Sequence, residues 1–259
     1  MIKSSVKSIG ILGLFLLQFS VCFSQRDSVL VCNVAFKDST FNNQHAGSGF
    51  ILRYKDKLYG ITAKHVLFFA KTDSMKTISF GNQLQSWNFT SRVNPMTSIL
   101  AGKLLNKNPE EAIEMPPKGD WLIFEIQQNI PKDVAVYKVR EQPLEINEKV
   151  RFLGYPYNSE KVVSEQGTFI GFTAENNLKL DVPKGNYAGC SGGPVLDIDG
   201  NLVGIVSMGY FNQKEQKMIF EPASLDYFKY IITSMNDNEK SAKSLHFLVG
   251  EWQVENYSK

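Results

Sequence analysis

The run Gly189-Cys190-Ser191-Gly192-Gly193-Pro194 decides how the rest of the chain is read. A serine that is to be acylated must project from a tight, glycine-permitted turn, so that a carbonyl carbon can reach its hydroxyl. Backbone N–H groups beside it must also face the oxyanion that develops during attack. The run offers both together, with the N–H groups of Gly189 and Ser191 as the expected donors. A glycine-rich turn with a serine is more often only a turn, so the reading depends on what else the chain supplies.

Two segments upstream supply it. Ile61-Thr62-Ala63-Lys64-His65-Val66 reads as a strand running into a histidine, and Gly119-Asp120-Trp121-Leu122-Ile123-Phe124 as an aspartate at the mouth of a buried strand. Each has an ordinary structural reading alone, as a surface histidine or a turn aspartate. Asp73 and Asp133 are alternatives to Asp120. Together with Ser191 the segments offer a nucleophile, a base and an orienting carboxylate.

The intervening chain is a series of short strands parted by turns. Residues 28–36, 50–54, 57–61, 83–90 and 121–126 form one set, with Lys55-Asp56 as a hairpin turn. Residues 149–154, 161–172, 177–182, 194–197, 201–208 and 216–220 form a second, with Asp199-Gly200-Asn201 as a turn. Strands at this spacing predict an all-β sandwich or barrel. Residues 91–119, with Pro95, Pro109, Pro116 and Pro117, read mostly as an excursion. One helix is expected, opened by Glu221-Pro222-Ala223-Ser224 and carrying Leu225, Phe228, Ile231 and Ile232 on its buried stripe.

These motifs resemble the chymotrypsin-like (trypsin-fold) serine peptidases, and among them the HtrA-like and glutamyl-endopeptidase-like bacterial branches. Thr62-Ala63-Lys64-His65, Asp120-Trp121-Leu122-Ile123 and Gly189 to Pro194 match the family's signature in its order, His then Asp then Ser. Gly47-Ser48-Gly49-Phe50, Phe152-Leu153-Gly154-Tyr155-Pro156 and the stretch from Pro194 to Ile205 match more loosely. The resemblance implies two six-stranded antiparallel β-barrels with a C-terminal helix, His65 and Asp120 coming from the first barrel and Ser191 from the second. It implies a serine endopeptidase acting on protein or peptide substrates, with a catalytically weak binding or scaffold protein on the same fold as the alternative. An esterase is a third possibility.

By the same resemblance Ser207, Met208 and Gly209 form the edge that pairs with substrate, and Lys184, Gly185 and Asn186 lie near the wall of the side-chain pocket. No acidic residue stands where one would bind Lys or Arg. Cys190 replaces the aspartate with which trypsin-type enzymes bind a new N-terminus, so that activation switch is expected to be absent. Cys190 as nucleophile is the alternative to Ser191.

The chain has 259 residues, 43% of them hydrophobic, enough for a sizeable core. Lys3 and Lys7 followed by an apolar run over residues 9–23 read as a signal peptide, residues 1–24. A retained anchor and a lipid on Cys22 are alternatives. Removing the segment leaves 26 basic against 26 acidic residues, and hence no basic field for nucleic acid. Export permits a disulfide, but Cys32 and Cys190 alone are expected to be free buried thiols. No metal cluster or cofactor motif is visible, and His45 and His246 stand isolated. The expected organisation is a peptidase domain over residues 25–235, split near 140–148, with a tail over 236–259 too short for a PDZ domain. The protein is expected in the periplasm or outside the cell.

Overall fold

A computed structural model of the chain describes residues 28–106, 111–115, 117 and 119–235. The expected signal peptide, residues 1–24, and tail, residues 236–259, lie outside the described residues. The fold is all-β. Strands β1 Leu30–Phe36, β2 Ser48–Tyr54, β3 Lys57–Thr62, β4 Leu84–Thr90, β5 Ser98–Leu100, β6 Leu122–Ile126 and β7 Val136–Lys138 make one sheet. Strands β8 Lys149–Gly154, β9 Val163–Phe172, β10 Leu178–Val182, β11 Pro194–Leu196, β12 Leu202–Asn212 and β13 Lys217–Ser224 make a closed barrel.

Local chemistry explains the strand ends. Lys55 and Asp56 both take positive φ, 47° and 63°, as a two-residue turn matched to strand twist requires, and β2 and β3 pair on either side of it. Gly200, at φ +82°, turns the chain between β11 and β12.

In the first sheet the order is β5-β4-β1-β2-β3-β6, and short β7 joins β2 in parallel. The chain after β5 then returns to β6. Gly102 N–H donates to Glu125 O (2.8 Å), Glu125 N–H to Lys103 O (2.9 Å) and Leu105 N–H to Ile123 O (2.8 Å). These bonds close the first barrel. Part of the stretch read as an excursion is therefore wall, although its pairing carries no alternating pattern.

The helix also differs from expectation at its start. β13 runs to Ser224, and the helix occupies 225–235. Pro222 sits where the β12–β13 register shifts, between the pairs Met208↔Glu221 and Ile205↔Ala223. A proline is tolerated at such a bulge because no ladder N–H is required of it. The expected stripe does face inward: Leu225, Phe228 and Ile232 are buried, and Phe228 meets the rings of Tyr54, Tyr59 and Trp121.

Two cores result. One lies inside the second barrel, around Phe152, Phe169, Leu180, Val195 and Phe220. The larger fills the first barrel and continues onto the outer face of the second through Leu153, Leu196, Leu202 and Ile205. Adjacent residues such as Phe152 and Leu153 thus serve different cores, as the two-residue period of a strand demands. Among the described residues no helix is long and apolar enough to cross a membrane.

Candidate active site

His65 lies in a 3-10 turn, Lys64–Phe68, just beyond the end of β3. Asp120 lies just ahead of β6, the strand paired with β3, so the antiparallel register brings both to one barrel mouth. Asp120 is 2% exposed. Its carboxylate accepts the His65 backbone N–H at Oδ1 (2.8 Å) and meets Nδ1 of the ring at Oδ2 (2.6 Å). Because an ionised carboxylate can only accept, Nδ1 carries the ring proton and Nε2 is left as an acceptor. Nε2 stands 2.8 Å from Ser191 Oγ.

Ser191 tops the turn between residue 187 and β11. Cys190 N–H donates to Tyr187 O, Gly193 N–H to Cys190 O and Gly192 N–H to Val206 O, at 2.8–2.9 Å. Gly189 takes φ +103°, open to glycine and costly for other residues. The peptide units bearing the two expected oxyanion donors are both anchored through their carbonyls. Ala188 O accepts Tyr157 N–H, and Cys190 O accepts Gly193 N–H, each at 2.9 Å. In a trans peptide N–H points opposite to C=O, so the N–H groups of Gly189 and Ser191 are directed away from those anchors. Among the described residues neither donates to any acceptor.

Asp73 and Asp133 are elsewhere: the Asp133 carboxylate accepts the Thr97 hydroxyl (3.0 Å), and Asp73 O accepts from Lys76 Nζ (3.3 Å). Cys190 is buried, and burial pushes its thiol up to about 12, leaving it protonated at neutral pH. Cys32 is likewise buried and pushed up to about 12, and both cysteines are free.

Ser207, expected at the substrate edge, lies on β12. Its hydroxyl donates to Asp120 Oδ2, reaching from the second barrel to the first. A serine inside a strand carries no sequence signal for that contact. Met208 is half-buried and Gly209 exposed, on the part of β12 that runs past its pairing with β11. Lys184 Nζ lies 4.8 Å from the Phe211 ring centroid, and Asn186 Oδ1 accepts Ala188 N–H (3.2 Å). Gly185 packs on the Tyr187 ring. Among the described residues none of Lys184, Gly185 and Asn186 bonds His65, Asp120 or Ser191, and no group of three His, Cys, Asp or Glu side chains could hold a metal ion.

Comparisons with known proteins agree on the fold. The crystal structure of the serine endoprotease from Yersinia pestis superposes with a TM-score of 0.51 at 18% identity, covering 81% of this chain and 64% of that one. This chain therefore spans somewhat under two thirds of that protein's chain in the structure, and at that identity the likeness establishes the chymotrypsin-like fold. No curated protein matches the sequence. A family model, the trypsin-like peptidase domain, matches residues 47–205, which hold all of His65, Asp120 and Ser191. The chain belongs to the trypsin-like peptidase domain family.

Proposed function

We propose that this protein is a secreted serine endopeptidase that cleaves protein or peptide substrates through an acyl-enzyme on Ser191. The observation that carries the reading is the 2.8 Å approach of His65 Nε2 to Ser191 Oγ, with Asp120 bonded to the other ring nitrogen. A free serine hydroxyl is a poor nucleophile; a neutral imidazole at this distance accepts its proton as Oγ attacks the carbonyl carbon. The imidazolium so formed is paired with Asp120. The oxyanion develops toward the N–H groups of Gly189 and Ser191.

His65 then gives its proton to the amine nitrogen, the C–N bond breaks, and the first product leaves. Water, deprotonated by His65, attacks the ester and frees Ser191. Residues 207–209, on the overhang of β12, receive the substrate backbone as an added strand. With Cys190 in place of a charged partner for a new N-terminus, the protein needs no zymogen cleavage. Residues 1–24 direct export.

Ser191→Ala tests this reading. Wild type is expected to cleave unfolded casein at defined peptide bonds, and the variant to lose turnover by about 10⁴-fold or more with an unchanged melting temperature. Equal cleavage by the variant would contradict the assignment. Hydrolysis of simple esters without peptide cleavage would make it an esterase. A folded wild type that binds peptides and cleaves neither class would make it a binding protein.

A further inference from the structure

We infer that Ser48 is a positioning residue, which holds the nucleophile turn in its donor-forward geometry from the opposite barrel. The inference rests on Ser191 being the nucleophile. Ser48 is the first residue of β2 and is wholly buried. Its backbone N–H donates to Ser191 O (2.9 Å). Its hydroxyl donates to Gly189 O (2.9 Å) and accepts the N–H of Tyr155 (2.8 Å). Its carbonyl accepts the Thr62 hydroxyl (2.7 Å).

Three of these four bonds cross from the first barrel to the second, and two end on carbonyls flanking Cys190. The Gly189 carbonyl is where a hold is most needed. Gly189, at φ +103°, is free of the Cβ that would otherwise restrict it, so its peptide planes turn more readily than those of its neighbours Ala188 and Cys190. Turning the Gly189–Cys190 plane would draw the neighbouring planes with it, and these carry the two donors. Tyr187 O holds the N–H end of that plane and Ser48 Oγ holds its C=O end.

Only a small side chain with one donor and one acceptor on the same atom can serve Gly189 and Tyr155 at once. Alanine would take the Ser48 hydroxyl away from a buried carbonyl and a buried N–H, a loss of hydrogen bonding that is costly in a protein interior. The carbonyl, on a glycine, can relieve this by rotating.

Ser48→Ala should therefore lower kcat for fluorescein-labelled casein by on the order of 10- to 100-fold, less than outright loss of an oxyanion donor. KM should stay within about twofold. The rate of labelling by a fluorophosphonate, whose P–O⁻-like transition state needs the same donors, should fall in parallel with kcat. Val203→Ala, a truncation in the second-barrel core away from the turn, serves as a control for lost stability and should leave kcat within about twofold. Ser48→Cys keeps a weaker donor and acceptor on the same Cβ. It should fall between wild type and alanine, and it carries the test if Ser48→Ala does not fold. An unchanged kcat in a folded Ser48→Ala beside an active wild type would overturn the inference alone. So would a loss equal to that of Val203→Ala. An inactive wild type would overturn it together with the proposed function.

Discussion

The two barrels are built to different standards of regularity, and the site divides along the same line. In the second barrel each strand pairs with its neighbours around a closed circuit, enclosing a core of its own. In the first, β1 and β2 share only the pairs Leu30↔Gly49 and Val31↔Ser48, β7 enters in parallel, and closure falls to the irregular chain after β5. The regular barrel contributes the Ser191 hydroxyl on a turn with two N–H groups directed outward. The irregular one contributes side chains, His65 and Asp120, held by packing around the barrel mouth. Lys64, beside His65, pairs with Glu111, which also accepts the Tyr227 hydroxyl (2.8 Å) from the helix. Trp121, beside Asp120, is fully buried, donates its indole N–H to Ser224 O (2.8 Å) and packs on Phe228. Backbone geometry needs a rigid frame, whereas placing a histidine against a carboxylate needs close contacts from several elements.

Core truncations should separate the two halves. Trp121→Ala and Phe169→Ala each remove a fully buried aromatic and should cost about 3–5 kcal/mol in denaturant unfolding. Only Trp121→Ala should also slow turnover at temperatures where both variants are folded, by roughly tenfold or more, because it loosens the residue next to Asp120. Equal turnover in the two variants would break the comparison, since the first barrel's packing would then be irrelevant to its side chains.

A smaller effect should come from the seam between the barrels. His45, from the first, meets the ring of Tyr157, from the second, edge-on at 4.8 Å. Burial, with help from the charge of Arg92, lowers its pKa to about 4. An unfolded chain protonates the same histidine near pH 6.5. Between those values the unfolded state binds more protons, so stability is lost as pH falls from about 6.5 toward 4. The slope of melting temperature against pH over that window should flatten in His45→Gln. Identical slopes would place the acid sensitivity elsewhere.

The contrast also explains what could be read from sequence. Regular strands announce themselves in either barrel: alternation around Trp87 marks β4, and Asp56 and Gly200, of residue types that accept positive φ, mark turns. The segments bearing His65, Asp120 and Ser191 were legible because each couples a strand end to one chemical group. The hydroxyl contacts of Ser207 and Ser48 were not, since a hydroxyl in a strand looks the same whether it meets solvent or a partner across a barrel seam. Residues 102–105 were missed because backbone N–H and C=O groups close that wall, and any sequence supplies those. Pro222 reads as a helix opener in the company of Ala223 and Ser224, whereas a register shift makes a place for it in a strand.

Activation of one serine where the two barrels meet is tested most directly by intact-mass and peptide mapping of the protein after exposure to a fluorophosphonate, beside His65→Ala. A single adduct is expected, on Ser191, that forms in wild type and is lost in His65→Ala. An adduct on another residue, or a folded wild type whose mass does not change, would contradict it.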